Sequence, residues 1–325
     1  MALIVSQEEF NDVWQDWESL LRVCKNQRIF QTPSWHYLWW KEMGNGAQLR
    51  LTCFREDGNL VAIAPLMSVN TSLSFLGDTD LWDYHDFVIA PGKEAPVFAS
   101  LFEVINDQQW SDFTLTSVPE DSSCLDYLPQ LSKQNGYMFE KIPEDVAPGA
   151  ILPATWDEYL SRLSKKDRHE LRRKLRRLES ESNFRWYAIE TADGLDESLG
   201  DFFSLMRQSR QDKAEFLTPE REMFFLQAFG EMAELDFLRL FFMEIDGERV
   251  ASAVCFDYGN TRFLYNSGYN PAYSQLSVGL LLNALCVRQS IDAGIRYFDF
   301  LRGDEPYKYD LGAKDLNLYR IVIRR

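Results

Sequence analysis

The sequence predicts an α+β protein of two similarly folded domains in tandem, each a mixed, largely antiparallel sheet flanked by helices. Three observations predict it. Residues 49–64, LRLTCFREDGNLVAIA, recur 189 positions later as residues 238–253, LRLFFMEIDGERVASA, with 8 identities in 16 ungapped positions. A chain of 325 residues suits two cores better than one. Residues 141–153, KIPEDVAPGAILP, interrupt regular structure three times with proline and mark a boundary. The expected domains are residues 1–150 and 151–325.

Each copy of the repeat is an apolar run, an Asp-Gly turn and a second apolar run, which reads as a β-hairpin. Leu49, Arg50, Leu51, Asp57, Gly58, Val61, Ala62 and Ala64 return as Leu238, Arg239, Leu240, Asp246, Gly247, Val250, Ala251 and Ala253, so the identities flank the turn on both sides. A period this long fits neither a solenoid nor a propeller. Before the first hairpin, TPSWHYLWW (32–40) puts Trp35 and Trp39 one helical turn apart, on one core-packing face.

Charge is uneven. Residues 1–150 carry 9 Lys and Arg against 22 Asp and Glu, net −13; residues 151–325 carry 25 against 28, net −3. A net −16 argues against indiscriminate nucleic-acid binding, and no DNA partner is expected. MALIVSQEEF turns acidic after four apolar positions, so no signal peptide is expected. The longest uncharged apolar run, Leu276 to Val287, has 12 residues, too few to span a bilayer. Five cysteines without close pairing read as reduced, buried thiols of a cytoplasmic protein. Three histidines and no Cys/His cluster argue against a metal.

The second half then reads in order. Lys165 to Arg177 packs eight basic residues into thirteen positions of an amphipathic helix, with Ser164 as its N-cap. Arg168, Arg172 and Arg176 share one face, either as a rail for substrate phosphates or as a solvated stripe paired with acids of the first domain. Residues 184–190 form a strand, and helices follow at 199–213 and 219–234, the latter capped by Thr218 with Pro219 at N1. The second hairpin, a strand at 261–269, a loop and an apolar helix from Leu280 to Ala293 come next. Gly294 ends that helix, and a buried strand lies within 295–303.

This order, with Pro271-Ala272-Tyr273 and then Gly279 opening a long apolar helix, resembles the GNAT N-acyltransferase superfamily. The resemblance implies that the strand before the loop splays and receives the pantetheine arm of acyl-coenzyme A, acetyl-CoA in the simplest case. The loop and helix start then hold its pyrophosphate. Tyr265, Ser267 and Tyr269 on the strand and Gln275, Ser277, Val278, Gly279 and Leu280 at the loop become donor-binding candidates. The superfamily loop is Gln/Arg-x-x-Gly-x-Gly/Ala. Here Ser274 to Gly279 keep only the last glycine, and Ser277 stands where the first would allow positive φ. The matching stretch of the first domain, LWDYHDFVIAP (81–91), has neither such a glycine nor such a helix start, so that domain is the degenerate copy. A tandem with one degenerate copy resembles the FemABX peptidyltransferases and, more closely, the CelD-type acetyltransferases of polysaccharide loci. TPSWHYLWW, IAPL (63–66), LSFLG (73–77), WDYHDF (82–87), the basic segment and YFDFLRGDEPYKYDLG (297–312) carry that likeness.

The last motif carries the sharpest chemistry. Asp299, between Phe298 and Phe300, reads as a structural acid or a tuned base. Acyl transfer to an amine needs a stabilised oxyanion and a proton acceptor; Lys308 or Tyr307 suits the first role, Asp299 or a neighbouring acid the second. The FemABX likeness links the lysine of the aromatic-lysine pair to catalysis, which falls on Lys308. Equally, Lys308 pairs with Asp299 or Asp304 to fix a turn. Asp83 and His85 alternate along an expected strand and are candidate substrate contacts lining a cleft between the domains. Three functions follow: an acyl-CoA-dependent N-acyltransferase acting on a sugar-linked or other amine in bacterial polysaccharide or envelope assembly, an aminoacyl-tRNA-dependent transferase, or a non-enzymatic binding protein.

Overall fold

The computed structural model describes residues 3–107 and 109–325; Met1 and Ala2, with which MALIVSQEEF begins, and Gln108 lie outside. The chain divides into two compact units, Met1–Val146 with Leu316–Arg325, and Ala147–Asp315.

The first unit runs β1 (Ile4–Gln7), α1 (Phe10–Val23), α2 (Pro33–Met43), β2 (Gln48–Glu56), β3 (Asn59–Val69), β4 (Ser72–Phe75), β5 (Val88–Ile89), α3 (Glu94–Asn106), β6 (Asp112–Pro119), α4 (Cys124–Gln134) and β7 (Met138–Val146). Trp35 and Trp39 of α2 are buried together as their spacing predicts. Helices α3 and α4 lay Phe98, Phe102 and Leu128 on the sheet residues Phe54, Leu115 and Ile321.

The second unit runs β8 (Gly149–Ile151), α5 (Trp156–Arg162), α6 (Lys165–Glu181), β9 (Phe184–Ile189), α7 (Leu195–Ser209), α8 (Gln211–Phe216), α9 (Pro219–Glu234), β10 (Leu238–Ile245), β11 (Glu248–Tyr258), β12 (Thr261–Tyr269), α10 (Val278–Asp292), β13 (Tyr297–Asp299) and α11 (Pro306–Asp310). Its sheet order is β8-β13-β12-β11-β10-β9, antiparallel but for the parallel β12–β13 pair. Ser164 caps α6 by accepting from the Asp167 amide at 3.1 Å, and Thr218 caps α9 by accepting from Arg221 at 3.3 Å. Gly294, at φ 77°, follows the end of α10 in the left-handed conformation a helix terminus favours. Helix α10 is buried on nearly all sides, which explains its almost continuous apolar sequence.

The last strand, β14 (Asn317–Arg324), belongs to the first unit. It lies between β6 and β7, giving the order β1-β2-β3-β4-β6-β14-β7 with β5 on β3. The proline-based reading carries these residues with the second domain; nothing local in NLYRIVIR records which sheet they join. Pro143, read as a breaker, sits inside β7. An edge strand tolerates it, and Pro143 pairs with Tyr319 directly beside a bulge.

The two hairpins match beyond their letters. Asp57 and Gly58 turn with φ of 50° and 83°, Asp246 and Gly247 with 52° and 89°. Each hairpin is bulged at the same place, between Phe54 and Arg55 and between Met243 and Glu244, 189 residues apart. The parallel pair of each sheet starts at Ser72 with Asp112 and at Thr261 with Tyr297, again offset by 189 on the leading strand.

The copies then diverge. Strand β12 runs on to Tyr269, whereas β4 stops at Phe75 and the chain leaves the sheet until β5 returns to pair with Ala62 and Ile63. WDYHDF lies in this irregular excursion, so the expected strand with alternating Asp83 and His85 is absent; Tyr84 is left-handed at φ 64°. Trp82 sits edge-on to Trp35 and Trp39, each at 6.1 Å between centroids. Helix α3 then starts at Glu94 after Pro91-Gly92-Lys93, so the first unit does hold a helix in the place of α10. The excursion breaks the constant offset, which is why the register of the repeat misplaces it.

Candidate functional site

Strands β12 and β13 pair for only three residues, Thr261–Phe263 against Tyr297–Asp299, and then part. A bulge helps: Val254 pairs Asn266 and Cys255 pairs Leu264, leaving Tyr265 as the extra residue of β12. In the fork beyond the last pair lies a cavity of about 370 Å³. Ser267 and Tyr269 of β12, the start of α10, Arg210 and Lys213 of the α7–α8 corner, Lys174 of α6, and Glu305 and Tyr307 line it. Gly268, between the two β12 residues, has a packing reason: a Cβ there would fall on the backbone of Leu205 and Met206 in α7.

The start of α10 leaves its first amides open to this cavity. Ser277 is left-handed, φ 57° and ψ 36°, where a glycine would be unstrained. It gives α10 no side-chain cap. The first amide with an acceptor is Leu281, bonded to the Ser277 carbonyl at 3.0 Å; those of Val278, Gly279 and Leu280 have none among the described residues. Gly279 lets the Tyr269 ring lie close, since a Cβ would sit 3.0 Å from its Cδ1. Three cations border the same space. Lys213 donates to Asn266 Oδ1 at 2.8 Å and to the Ser267 carbonyl at 2.5 Å. Burial, with Arg210 adding, pushes its ammonium down to about 8. The Arg210 guanidinium is clasped by Asp212 at 2.7 and 2.9 Å.

The C-terminal motif forms the opposite wall. Lys308 is buried, and its ammonium donates to the carbonyls of Leu301, Arg302 and Gly303 at 2.8, 2.7 and 2.9 Å. Its carboxylate partner is Glu305 at 3.0 Å, not Asp299 or Asp304 as the sequence suggests. The reason is local: Pro306 starts α11, and Glu305 and Lys308 fall one turn apart. Asp299 is also buried and accepts the Leu301 amide at 2.8 Å. Burial would raise Glu305, but the Lys308 charge and hydrogen bond, with a backbone hydrogen bond and the Lys213 charge, together hold that carboxyl below its ordinary value. Burial, then Glu305, raises Tyr307 well above the ordinary phenol.

Of the donor-binding candidates, Ser267, Tyr269, Ser277, Val278, Gly279 and Leu280 line the cavity, as does Tyr307. Tyr265 does not: its bulged position turns its ring onto Phe225, Phe229 and Phe256, 5.5 to 5.8 Å between centroids. Gln275 is exposed on the 3-10 turn Pro271–Leu276 and is not among the lining residues. Lys308 and Asp299 stand behind the wall and shape it through Leu301. Arg168, Arg172 and Arg176 make no ion pair among the described residues. Arg168 and Arg176 spend a donor on the carbonyls of Ser161 and Arg172; the pairs of α6 with acids are within the helix, Arg173–Glu170, Lys174–Glu170 and Arg177–Glu181. Asp83 and His85, expected at a surface, are enclosed in the first unit, the His85 ring 5.3 Å from Trp82 and 6.0 Å from Phe75. Arg210 and Lys213 are missed by sequence reasoning. QSRQDKAEF reads as an ordinary polar helix, and only the corner between α7 and α8 turns both cations onto the fork. Among the described residues no cluster of three or more His, Cys, Asp or Glu suits a metal, and no helix is long and apolar enough to cross a membrane.

Residues 165–309 match the acetyltransferase (GNAT) domain family. FemX, as a crystal structure, superposes with a TM-score of 0.68 at 13% identity, covering 98% of this chain and 96% of that one. The C-terminal domain of a putative lysylphosphatidylglycerol synthetase from Agrobacterium fabrum gives 0.59 at 11% identity, covering 97% and 92%. A tandem GNAT protein from the clavulanic acid biosynthesis pathway gives 0.51 at 11% identity, covering 98% of each chain. No curated protein matches the sequence. The family match is confined to residues 165–309, and over its whole length the chain shares the fold of FemX and of this tandem GNAT protein.

Proposed function

We propose that the protein is an N-acyltransferase that moves an acyl group, acetyl in the simplest case, from coenzyme A to an amine. The start of α10 carries the reading: three amides with no acceptor among the described residues, at the positive end of a 15-residue helix and beside Lys174 and Arg210, open onto a cavity at a strand fork. These groups suit the pyrophosphate of the donor, and Ser267 and Tyr269 suit its pantetheine arm. Bound there, the donor supplies an activated thioester carbonyl. Tyr307 keeps its proton at neutral pH and, lining the cavity, suits protonation of the departing sulfur. Lys308 and Asp299 act as positioning residues for the wall that carries Glu305 and Tyr307. Arg168, Arg172 and Arg176, outside any ion pair among the described residues, are left to bind an anionic group of the acceptor. An amine on a phosphate-linked sugar of polysaccharide or cell-envelope assembly in the cytoplasm would carry such an anionic group.

A second reading, an aminoacyl-tRNA donor, is favoured by the density of the same helix, eight cations in thirteen positions, which suits an RNA backbone. Free-thiol release from acetyl-CoA, followed across a panel of amino sugars and simple amines, separates the two. The CoA reading expects amine-dependent thiol release that Gly279→Val abolishes. Binding of charged tRNA with no binding of any coenzyme A ester selects the other.

A further inference from the structure

Two buried lysines flank the fork, and they differ in what their ammonium groups have left to give. Lys308 has three N–H donors and three carbonyl acceptors, those of Leu301, Arg302 and Gly303. It is saturated, and it lies outside the cavity lining. Lys213 lines the cavity and spends two donors, on Asn266 Oδ1 and on the Ser267 carbonyl. An ammonium has three. Both acceptors belong to the stretch of β12 beyond its last pair with β13, so they hold the lysine at the fork itself. Resting on the acyl-CoA reading, we infer that Lys213 directs its third N–H at the acyl carbonyl oxygen and is the catalytic cation of this site.

The chemistry balances without any further reactant. The amine nitrogen bonds to the carbonyl carbon, and the carbonyl electron pair moves onto oxygen, facing the Lys213 ammonium. The pair returns as the carbon–sulfur bond breaks; Tyr307 gives its proton to the departing sulfur and regains, through solvent, the one that the nitrogen loses. Lys213 is unchanged over the cycle. A donor fixed beforehand and aimed at the developing charge, in a partly closed site, is the most effective electrostatic arrangement.

The surroundings keep that proton labile. Asn266 and the Ser267 carbonyl hold the group, Arg210 and Asp212 flank it on the α7–α8 corner, Lys174 comes from α6, and Glu305, Tyr307 and Lys308 come from the C-terminal wall. Burial and Arg210 depress the ammonium to about 8 while Glu305 and Asp212 oppose them, so the protonated form prevails at pH 7 and is lost toward pH 9.

Carbon-13 NMR of acetyl-CoA labelled at the carbonyl tests this without an identified acceptor, because a carbonyl that accepts from a cation moves downfield. The wild type is expected to shift the bound resonance downfield at pH 7 and to lose the shift toward pH 9. Lys213→Met is expected to bind CoA within about threefold of wild type and to show no shift, with part of it returned by Lys213→Arg. A shift that survives Lys213→Met, or one absent in a wild type that binds the donor, overturns the role of Lys213 and leaves the acyl-CoA reading standing. Absence of any CoA binding by the wild type overturns the acyl-CoA reading, and this role with it. Should Lys213→Met fail to fold, Lys213→Arg and the pH dependence of the wild type carry the test. Unchanged carbonyl shifts in both then overturn the inference.

Discussion

Asp299 and Lys308 grip opposite ends of the same residue: the Asp299 carboxylate accepts the Leu301 amide at 2.8 Å, and the Lys308 ammonium donates to the Leu301 carbonyl at 2.8 Å. Leu301 needs the grip, because its φ is 58°, a left-handed conformation that costs a non-glycine residue about 1–2 kcal/mol. Its side chain is buried, so glycine would relieve the strain only by leaving a void. The two charged residues therefore fix the turn from which Glu305 and Tyr307 reach the cavity.

Lys308→Met should lower stability as well as turnover. It leaves three enclosed carbonyls without their donor and Glu305 without its cation, at a cost of about 3 kcal/mol. Urea titration measures it. A stable Lys308→Met enzyme with reduced turnover alone would make Lys308 a chemical rather than a positioning group.

Ser277→Gly should stabilise the protein, or leave it unchanged, while donor affinity persists. Relief of the left-handed strain, about 1–2 kcal/mol, competes with the extra freedom of glycine in the unfolded chain, about 0.5–1 kcal/mol. Ser277→Val should destabilise, because a β-branched residue tolerates that conformation worst. Melting temperatures of the pair decide it.

Arg172→Glu should leave stability within about 0.5 kcal/mol, since Arg172 is exposed and makes no ion pair among the described residues. It should weaken an anionic acceptor and flatten the salt dependence of its binding. Lost stability with intact acceptor affinity would return the stripe to a structural role.

His36 should set part of the acid limit of the fold. Burial depresses it to about 4, although its Nδ1 lies 3.0 Å from the Thr32 carbonyl. The folded value is below the ordinary 6.5, so the unfolded chain binds the extra proton first. The contribution is fully present above about pH 6.5 and is lost as pH falls toward 4, amounting to about 3 kcal/mol at 1.36 kcal/mol per unit. Stability measured from pH 7 to pH 4 should fall less steeply in His36→Phe than in wild type; parallel curves would contradict the assignment.

Local signals were legible in proportion to how local their causes are. The Asp-Gly hairpins, the caps at Ser164 and Thr218, and the helix opening at Gly279 depend on neighbours within a few residues, and each stands where the sequence reading places it. The superfamily loop pattern puts Ser277 where a glycine is usual, and its φ is 57°. What escaped was set by distant pairing. Strand β14 joins a sheet formed far earlier in the chain, its partners in β7 lying 171 to 186 positions before it. The bulge at Tyr265 reverses which way that ring faces. Lys213 became part of the site through acceptors 53 and 54 residues away. The short i to i+3 distance from Glu305 to Lys308 outcompeted the sequence-suggested partners of Lys308.

Calorimetric titration of acetyl-CoA into the wild type and into Gly279→Val tests the central claim, that the helix start at the β12–β13 fork holds an acyl-CoA donor. The wild type should bind one equivalent, and at 100 times its dissociation constant the donor should stabilise the fold by about 2.7 kcal/mol. Gly279→Val, whose side chain meets the Tyr269 ring, should stay folded and bind none. No heat from any coenzyme A ester at millimolar concentration, or equal binding by both proteins, would contradict it.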